Sequence, residues 1–224
     1  MPSERAVIFD MDGVLVDSAD AHRQAWRQLG DEVGVPFTDD LFRRTFGQRN
    51  ETILPTWLGS VSPESLLDLG DRKEIIYRDL VRHGAVRVYR RIPDLLVELR
   101  EAGAALAVAS SGPKENVALL VETIGAFDLV DAAISADDVT EGKPHPAPFL
   151  AAAAHLGVDA RRSAVIEDSV HGIEAAKRAD MLAVAVLTST PREALVKAGA
   201  DVIVGEVADI APGELLETIA RRAR

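Results

Sequence analysis

The sequence predicts an α/β protein: a doubly wound parallel sheet with an inserted all-helical block. Three observations carry this. From about residue 85 onward, short apolar segments of strand character alternate with helical periodicities, the spacing that right-handed βαβ units require. One further strand-like run, Ala6–Phe9, stands apart near the start of the chain. Between the two, from about residue 18 to 85, the pattern is helical with no strand-type alternation. The expected domains are an α/β core from 1–17 and 86–224, and a helical insertion over 18–85.

Ala6-Val7-Ile8-Phe9 is short, apolar and partly β-branched, as a strand buried on both faces should be. It stops at Asp10, Met11, Asp12 and Gly13 before a second apolar run, Val14-Leu15-Val16. Ser18 opens a helix with Ala21, Ala25, Trp26, Leu29 and Val33 at helical spacing, ended by Gly34 and Pro36. Ser62-Pro63 reads as an N-cap followed by proline at the first helical position, and Leu66, Leu67, Leu69, Ile75, Ile76 and Leu80 follow in that helix. In the core, a helix from about Pro93 to Ala102 leads to the strand Ala104–Ala109, and a helix over Lys114–Ile124 leads to Asp131–Ser135. The helix Ala147–Leu156 precedes the strand Ser163–Ile166, which ends in Glu167-Asp168; Gly172–Arg178 precedes Met181–Leu187. Thr190-Pro191-Arg192-Glu193 reads as a capping box, and Asp201–Val204 as the last strand.

Composition narrows the function. At 224 residues and 47% hydrophobic, the chain can build a sizeable core. It has no cysteine, which excludes disulfides, thiolate metal ligands and a cysteine nucleophile. A net charge of −11 argues against a nucleic-acid partner. Apolar runs are short and broken by charge, so no membrane partner is expected. Residues 1–5 lack a signal-peptide pattern, which makes the cytoplasm the expected location, and a monomer or weak dimer is expected.

Taken alone, Asp10 and Asp12 read equally well as turn acids before a glycine or as half of a site. Ser110-Ser111-Gly112 alone suits a helix cap, Lys143 a solvated loop, and Glu167-Asp168 a helix start. Their joint placement changes the balance, because each polar cluster follows a separate strand. In a parallel sheet these ends share one edge, where open α/β sheets bind ligands. Crowded carboxylates repel, and a hard cation such as Mg2+ relieves the repulsion. One carboxylate can attack phosphorus, a second can shuttle a proton, and lysine and hydroxyl donors can hold the phosphoryl oxygens.

The pieces FDMDGVLVDS (Phe9–Ser18), ASSGP (Ala109–Pro113), GKPHP (Gly142–Pro146) and IEDS (Ile166–Ser169) occur in order. Together they resemble the haloacid dehalogenase superfamily, within it the β-phosphoglucomutase-like group of cap-bearing phosphatases. The resemblance implies a Rossmann-like core with a helical cap, Asp10 as nucleophile and Asp12 as general acid/base. It implies Mg2+ held by Asp10, the Asp12 backbone carbonyl, Asp168 and Glu167, directly or through water, and a phosphoryl group held by Ser110, Ser111 and Lys143. An acid at Asp12 disfavours dehalogenation. His22, Arg49, Asn50 and Lys73 in the insertion are the candidate substrate residues. The group's cap motif, a Lys before a Gly with an Arg three residues after it, is replaced here by Phe46-Gly47-Gln48-Arg49-Asn50.

The expected function is Mg2+-dependent hydrolysis of small phosphorylated metabolites, sugar phosphates foremost, through an aspartyl-phosphate. A β-phosphoglucomutase is the alternative. A phosphoryl-receiving signalling domain is a remote one, since such domains are shorter and their acceptor does not lie in a D-x-D pair after the first strand.

Overall fold

The computed structural model describes residues 3–223. Strand β1 (Arg5–Phe9) and the two-residue strand β2 (Val16–Asp17) lead into four helices: α1 (Ala19–Val33), α2 (Asp39–Thr45), α3 (Asn50–Leu58) and α4 (Pro63–Arg82). After β3 (Arg87–Val88) come α5 (Ile92–Glu101), β4 (Ala104–Ala109), α6 (Lys114–Ile124), β5 (Ala132–Ile134) and α7 (Ala147–Leu156). The chain continues with β6 (Ser163–Glu167), α8 (Val170–Arg178), β7 (Leu182–Val186), α9 (Arg192–Ala198), β8 (Val202–Val204) and α10 (Pro212–Arg222).

Six strands form one parallel sheet in the order β5-β4-β1-β6-β7-β8. This is a doubly wound α/β arrangement, with β1 central and its neighbours reached in opposite directions along the chain. The crevice such a switch creates lies at the carboxyl end of β1. Every residue of β4, β6 and β7 is buried, as a sheet covered on both faces requires. Register is fixed at both edges by one device. Asp131 donates its N–H to the Leu106 carbonyl and takes the Leu106 N–H on its carboxylate, at 2.8 and 2.9 Å. Asp201 does the same with Ala183, both at 2.8 Å. Arg100 and Lys177 hold the other oxygen of each carboxylate. With its register pinned, each short edge strand delivers its carboxyl end to the edge shared with β1.

The chain divides into two compact units: one runs up to Val16 and resumes at Val88, and the other is Asp17–Arg87. The short strands β2 and β3, where the chain crosses between units, pair with each other, and Arg87 Nη2 donates to Asp17 Oδ2 at 2.8 Å.

Within the helical unit, Ser62 caps α4 by accepting from the Ser65 N–H, with Pro63 at the first position. The buried face of α4 differs from the expected leucine stripe. Leu67 and Ile75 are exposed, and the face turned inward carries Gly70, Lys73, Glu74, Ile76, Tyr77 and Val81. The charges go inside because they satisfy one another. Lys73 Nζ donates to Glu74 Oε1 and to His22 Nδ1, both at 2.9 Å, and Asn50 Nδ2 donates to the same glutamate oxygen at 2.8 Å. An ammonium only donates, so His22 accepts on Nδ1 and its ring proton lies on Nε2. The His22 ring stacks on Tyr77 with centroids 3.9 Å apart, and the ammonium lies 5.1 Å from the Tyr77 ring centre.

Burial pushes the Glu74 carboxyl up, but Lys73, His22 and Asn50 together outweigh it, and the group is held below its ordinary 4.5. Lys73→Met is therefore expected to destabilise this unit by about 3 kcal/mol at pH 7, because the glutamate is left buried without its cation. A carboxyl whose folded-state pKa is lowered contributes stability above its unfolded value and loses it as pH falls through the folded one. The deficit should therefore shrink below about pH 4.5. Urea unfolding followed by tryptophan fluorescence checks this selectively, since both tryptophans, Trp26 and Trp57, belong to the helical unit. An unchanged midpoint at pH 7 would count against it.

The start of α9 also differs from the sequence expectation. Thr190 does not cap α9. Pro191 is extended, with ψ 144°, and itself takes the cap position, so the helix begins at Arg192 without a side-chain cap. The Thr190 hydroxyl lies beside that of Ser189 instead, at 3.3 Å.

Candidate active site

β1 hands its last ladder contact to Asp10, whose N–H donates to the Ile166 carbonyl at 3.0 Å. The register aligns Phe9 with Val108 on one side and with Ile166 on the other. Asp10, the Ser110-Ser111 turn and Glu167-Asp168 thus leave the sheet at the same level. Lys143 arrives from the loop before α7, next to a cis peptide bond with Pro144. Its Nζ donates to Asp10 Oδ1 at 2.5 Å and to Glu167 Oε1 at 2.7 Å. The lysine side chain is only 4% exposed. Carboxylate oxygens of Asp10, Glu167 and Asp168 lie within 4.8 Å of one another.

Two glycines make room for these acids. Gly13 has φ +81°, and a Cβ there would fall 1.9 Å from Asp168 Oδ2. A Cβ at Gly172 would fall 1.8 Å from the carboxyl carbon of Glu167. Glu167 is held at both ends. Its Oε1 accepts from Lys143, while its Oε2 accepts from the backbone N–H groups of Asp168 and Ser169, both at 2.8 Å, and from the Ser169 hydroxyl at 2.9 Å. Ser169 also caps α8, accepting from the Gly172 N–H at 3.0 Å. The same turn therefore starts the helix and orients the acid.

The electrostatics follow from burial. Burial pushes the Asp10 carboxyl well above the usual carboxylate range; Lys143 pulls against this, and Glu167, Asp168 and Asp12 add to it. Burial and then Glu167 push Asp168 up to about 7. Burial alone pulls the Lys143 ammonium down, but Asp10 and Glu167 more than reverse that, so it stays charged. One ammonium against three clustered acids leaves unmet negative charge surrounded by oxygen donors. That set fits a hard divalent cation such as Mg2+.

The remaining candidates fall as follows. Asp12 is half-buried and forms an isolated bridge with Val16. Ser110 is buried and its hydroxyl accepts from the Gly112 N–H at 3.1 Å, while Ser111 is half-buried. In the helical unit, His22, Asn50 and Lys73 come together around Glu74, and Arg49 precedes them as the cap residue of α3. Sequence reasoning missed Thr188 and Ser189. The Thr188 hydroxyl donates to the Gly13 carbonyl at 2.6 Å and lies 3.3 Å from Asp168 Oδ2, and the Ser189 hydroxyl donates to the Asp168 carbonyl at 3.2 Å. The signal was available: like the other site clusters, they are polar residues just beyond the end of a strand.

Fold and site together define an α/β enzyme with an acid-lined centre at the carboxyl edge of a parallel sheet. A family model described as haloacid dehalogenase-like hydrolase matches residues 4–180, and the chain belongs to that family. Among curated relatives, it is 32% identical over 206 residues to validoxylamine A 7'-phosphate phosphatase of Streptomyces hygroscopicus subsp. limoneus, covering 92% of this chain and 95% of that protein. It is 30% identical over 214 residues to the β-phosphoglucomutase of Bacillus subtilis, covering 92% and 91%. Among solved structures, a β-phosphoglucomutase from Clostridium difficile superimposes with a TM-score of 0.86 at 26% identity, covering 97% of each chain. No helix among the described residues is long and apolar enough to cross a membrane.

Proposed function

We propose that the protein is a Mg2+-dependent phosphatase that hydrolyses small phosphorylated metabolites, sugar phosphates foremost, through an aspartyl-phosphate on Asp10. The observation that carries this reading is the meeting of Asp10, Glu167 and Asp168 around the Lys143 ammonium at the carboxyl end of the central strand. Asp10, Asp168 and the Asp12 backbone carbonyl would hold the cation, with Glu167 directly or through water, and the cation would offset charge on the phosphoryl oxygens.

Asp10 attacks phosphorus, and the bond to the leaving oxygen breaks as Asp12 supplies its proton. Asp12, now a carboxylate, takes a proton from water, which attacks the aspartyl-phosphate; inorganic phosphate leaves and Asp10 is regenerated. Lys143 and the Ser110-Ser111 turn hold the equatorial oxygens as charge builds. We assign substrate choice to the helical unit, with His22, Arg49, Asn50 and Lys73 as its candidate residues. Membership in a hydrolase family favours turnover over a phosphoryl-receiving signalling role.

A second reading, β-phosphoglucomutase, rests on the relatives of that name at 30% and 26% identity. The products separate the two. On a panel of phosphomonoesters, the phosphatase releases phosphate. A mutase converts β-glucose 1-phosphate to glucose 6-phosphate when primed with the bisphosphate. Phosphate release is expected to vanish in EDTA and return when Mg2+ is added in excess. Full activity in EDTA would overturn the metal assignment, and no release from any ester would overturn the phosphatase.

A further inference from the structure

We infer that Thr188 is a positioning residue: its hydroxyl ties the loop after β1 to the end of β7, beside the acid after β6, and so sets the geometry of the metal site. The inference rests on the reading of that site given above. The acids stand on two strand ends, Asp10 and Asp12 after β1 and Glu167 and Asp168 at the end of β6, and they repel, so something other than the acids must fix their separation. Thr188 stands on a third strand end, just beyond β7. Its hydroxyl donates to the Gly13 carbonyl at 2.6 Å and lies 3.3 Å from Asp168 Oδ2. Ser189 holds the other end of Asp168 through its backbone carbonyl at 3.2 Å.

Gly13 is where such a tether matters. A glycine at φ +81° has no side chain to restrict it and loses more freedom on ordering than any other residue. Its N–H donates to the Val16 carbonyl at 2.8 Å. In a trans peptide the preceding carbonyl, that of Asp12, points the opposite way from this N–H. With the N–H held by Val16 and the Gly13 carbonyl held by Thr188, both peptide planes flanking Gly13 are fixed, and with them the direction of the Asp12 carbonyl. The single proton of Thr188 goes to Gly13, and the next residue, Ser189, donates to the Asp168 backbone carbonyl, so one strand end holds both arms that would share a cation. Residues that orient ligands from outside the coordination shell commonly change metal affinity by roughly 10- to 100-fold when removed.

Thr188 is exposed, so Thr188→Val removes the hydroxyl without opening the core. The test is calorimetric titration of Mg2+ into the parent, Thr188→Val and Thr188→Ser, with melting temperatures measured in EDTA. Thr188→Val is expected to bind Mg2+ about 10- to 100-fold more weakly, to melt with the parent in EDTA, and to regain kcat as Mg2+ is raised. Thr188→Ser, which keeps the donor, is expected to bind like the parent. Equal Mg2+ affinity in the parent and Thr188→Val overturns this inference alone. A parent that binds no Mg2+ overturns it together with the metal reading. If Thr188→Ser is as weak as Thr188→Val, the hydroxyl is not the cause and the inference fails.

Discussion

Asp10→Asn is expected to reduce phosphate release by roughly a thousandfold or more, the scale seen when a covalent nucleophile is removed from an enzyme whose remaining groups are intact. The amide is nearly the same size and keeps an oxygen to accept from Lys143, so the buried packing at the end of β1 is retained. What it lacks is a charged oxygen able to form an acyl phosphate. Burial works against that charge, and the 2.5 Å contact with Lys143 offsets part of the effect. Two measurements check the role: steady-state phosphate release, and mass spectrometry of acid-quenched enzyme for phosphate on the peptide that contains residue 10. Turnover within tenfold of the parent would rule Asp10 out as nucleophile.

Lys143→Met is expected to cost both stability and activity. The lysine is buried and bridges two acids, and removing one partner of a buried pair costs about 3–5 kcal/mol because the other charges are left behind. Asp10, Glu167 and Asp168 would then share a small volume with no ammonium among them. Methionine nearly matches the aliphatic stem, so the loss reports charge rather than volume. Activity should fall roughly 100- to 1000-fold as a donor to the developing phosphoryl charge disappears. Added Mg2+ should recover part of the stability, since a ligand that binds only the folded state stabilises it by mass action. Urea unfolding with and without Mg2+ reads both effects. A change under about 1 kcal/mol in the absence of metal would show that Lys143 does not carry this load.

Most of the site was legible because β1, β4 and β6 end in residues that have no reason to be polar together unless they meet. Their apolar runs, such as Ala104–Ala109, admit a strand buried on both faces, and the intervening helices leave only parallel pairing. Thr188 and Ser189 obey the same rule but are small hydroxyls in a run of turn residues, where nothing local separates an exposed loop from a tether to Gly13. The inner face of α4 was illegible for a different reason. Periodicity assigns charges to water, yet Lys73 and Glu74 are adjacent, and their mutual pairing, with His22 and Asn50 brought from α1 and α3, depends on tertiary contact. Leu67 and Ile75 were then displaced to the surface. At Thr190, the spacing of a capping box was present, but the extended backbone of Pro191 moved the helix start beyond its reach.

The ribbon made by β2 and β3 bears on the order of folding. β1 must pair with β4 across the whole insertion, Ala6 with Ala105, which is a long-range closure of the kind that slows folding. Loop-closure entropy grows with the number of free residues between the contacts. Once residues 17–87 have folded and their ends are clasped by the ribbon and by Arg87 on Asp17, the chain separating β1 from β4 behaves as a short connection rather than a long one. A helical unit that closes first, through α1 and α3 packing on α4, would turn the slowest search in the sheet into a nearby one.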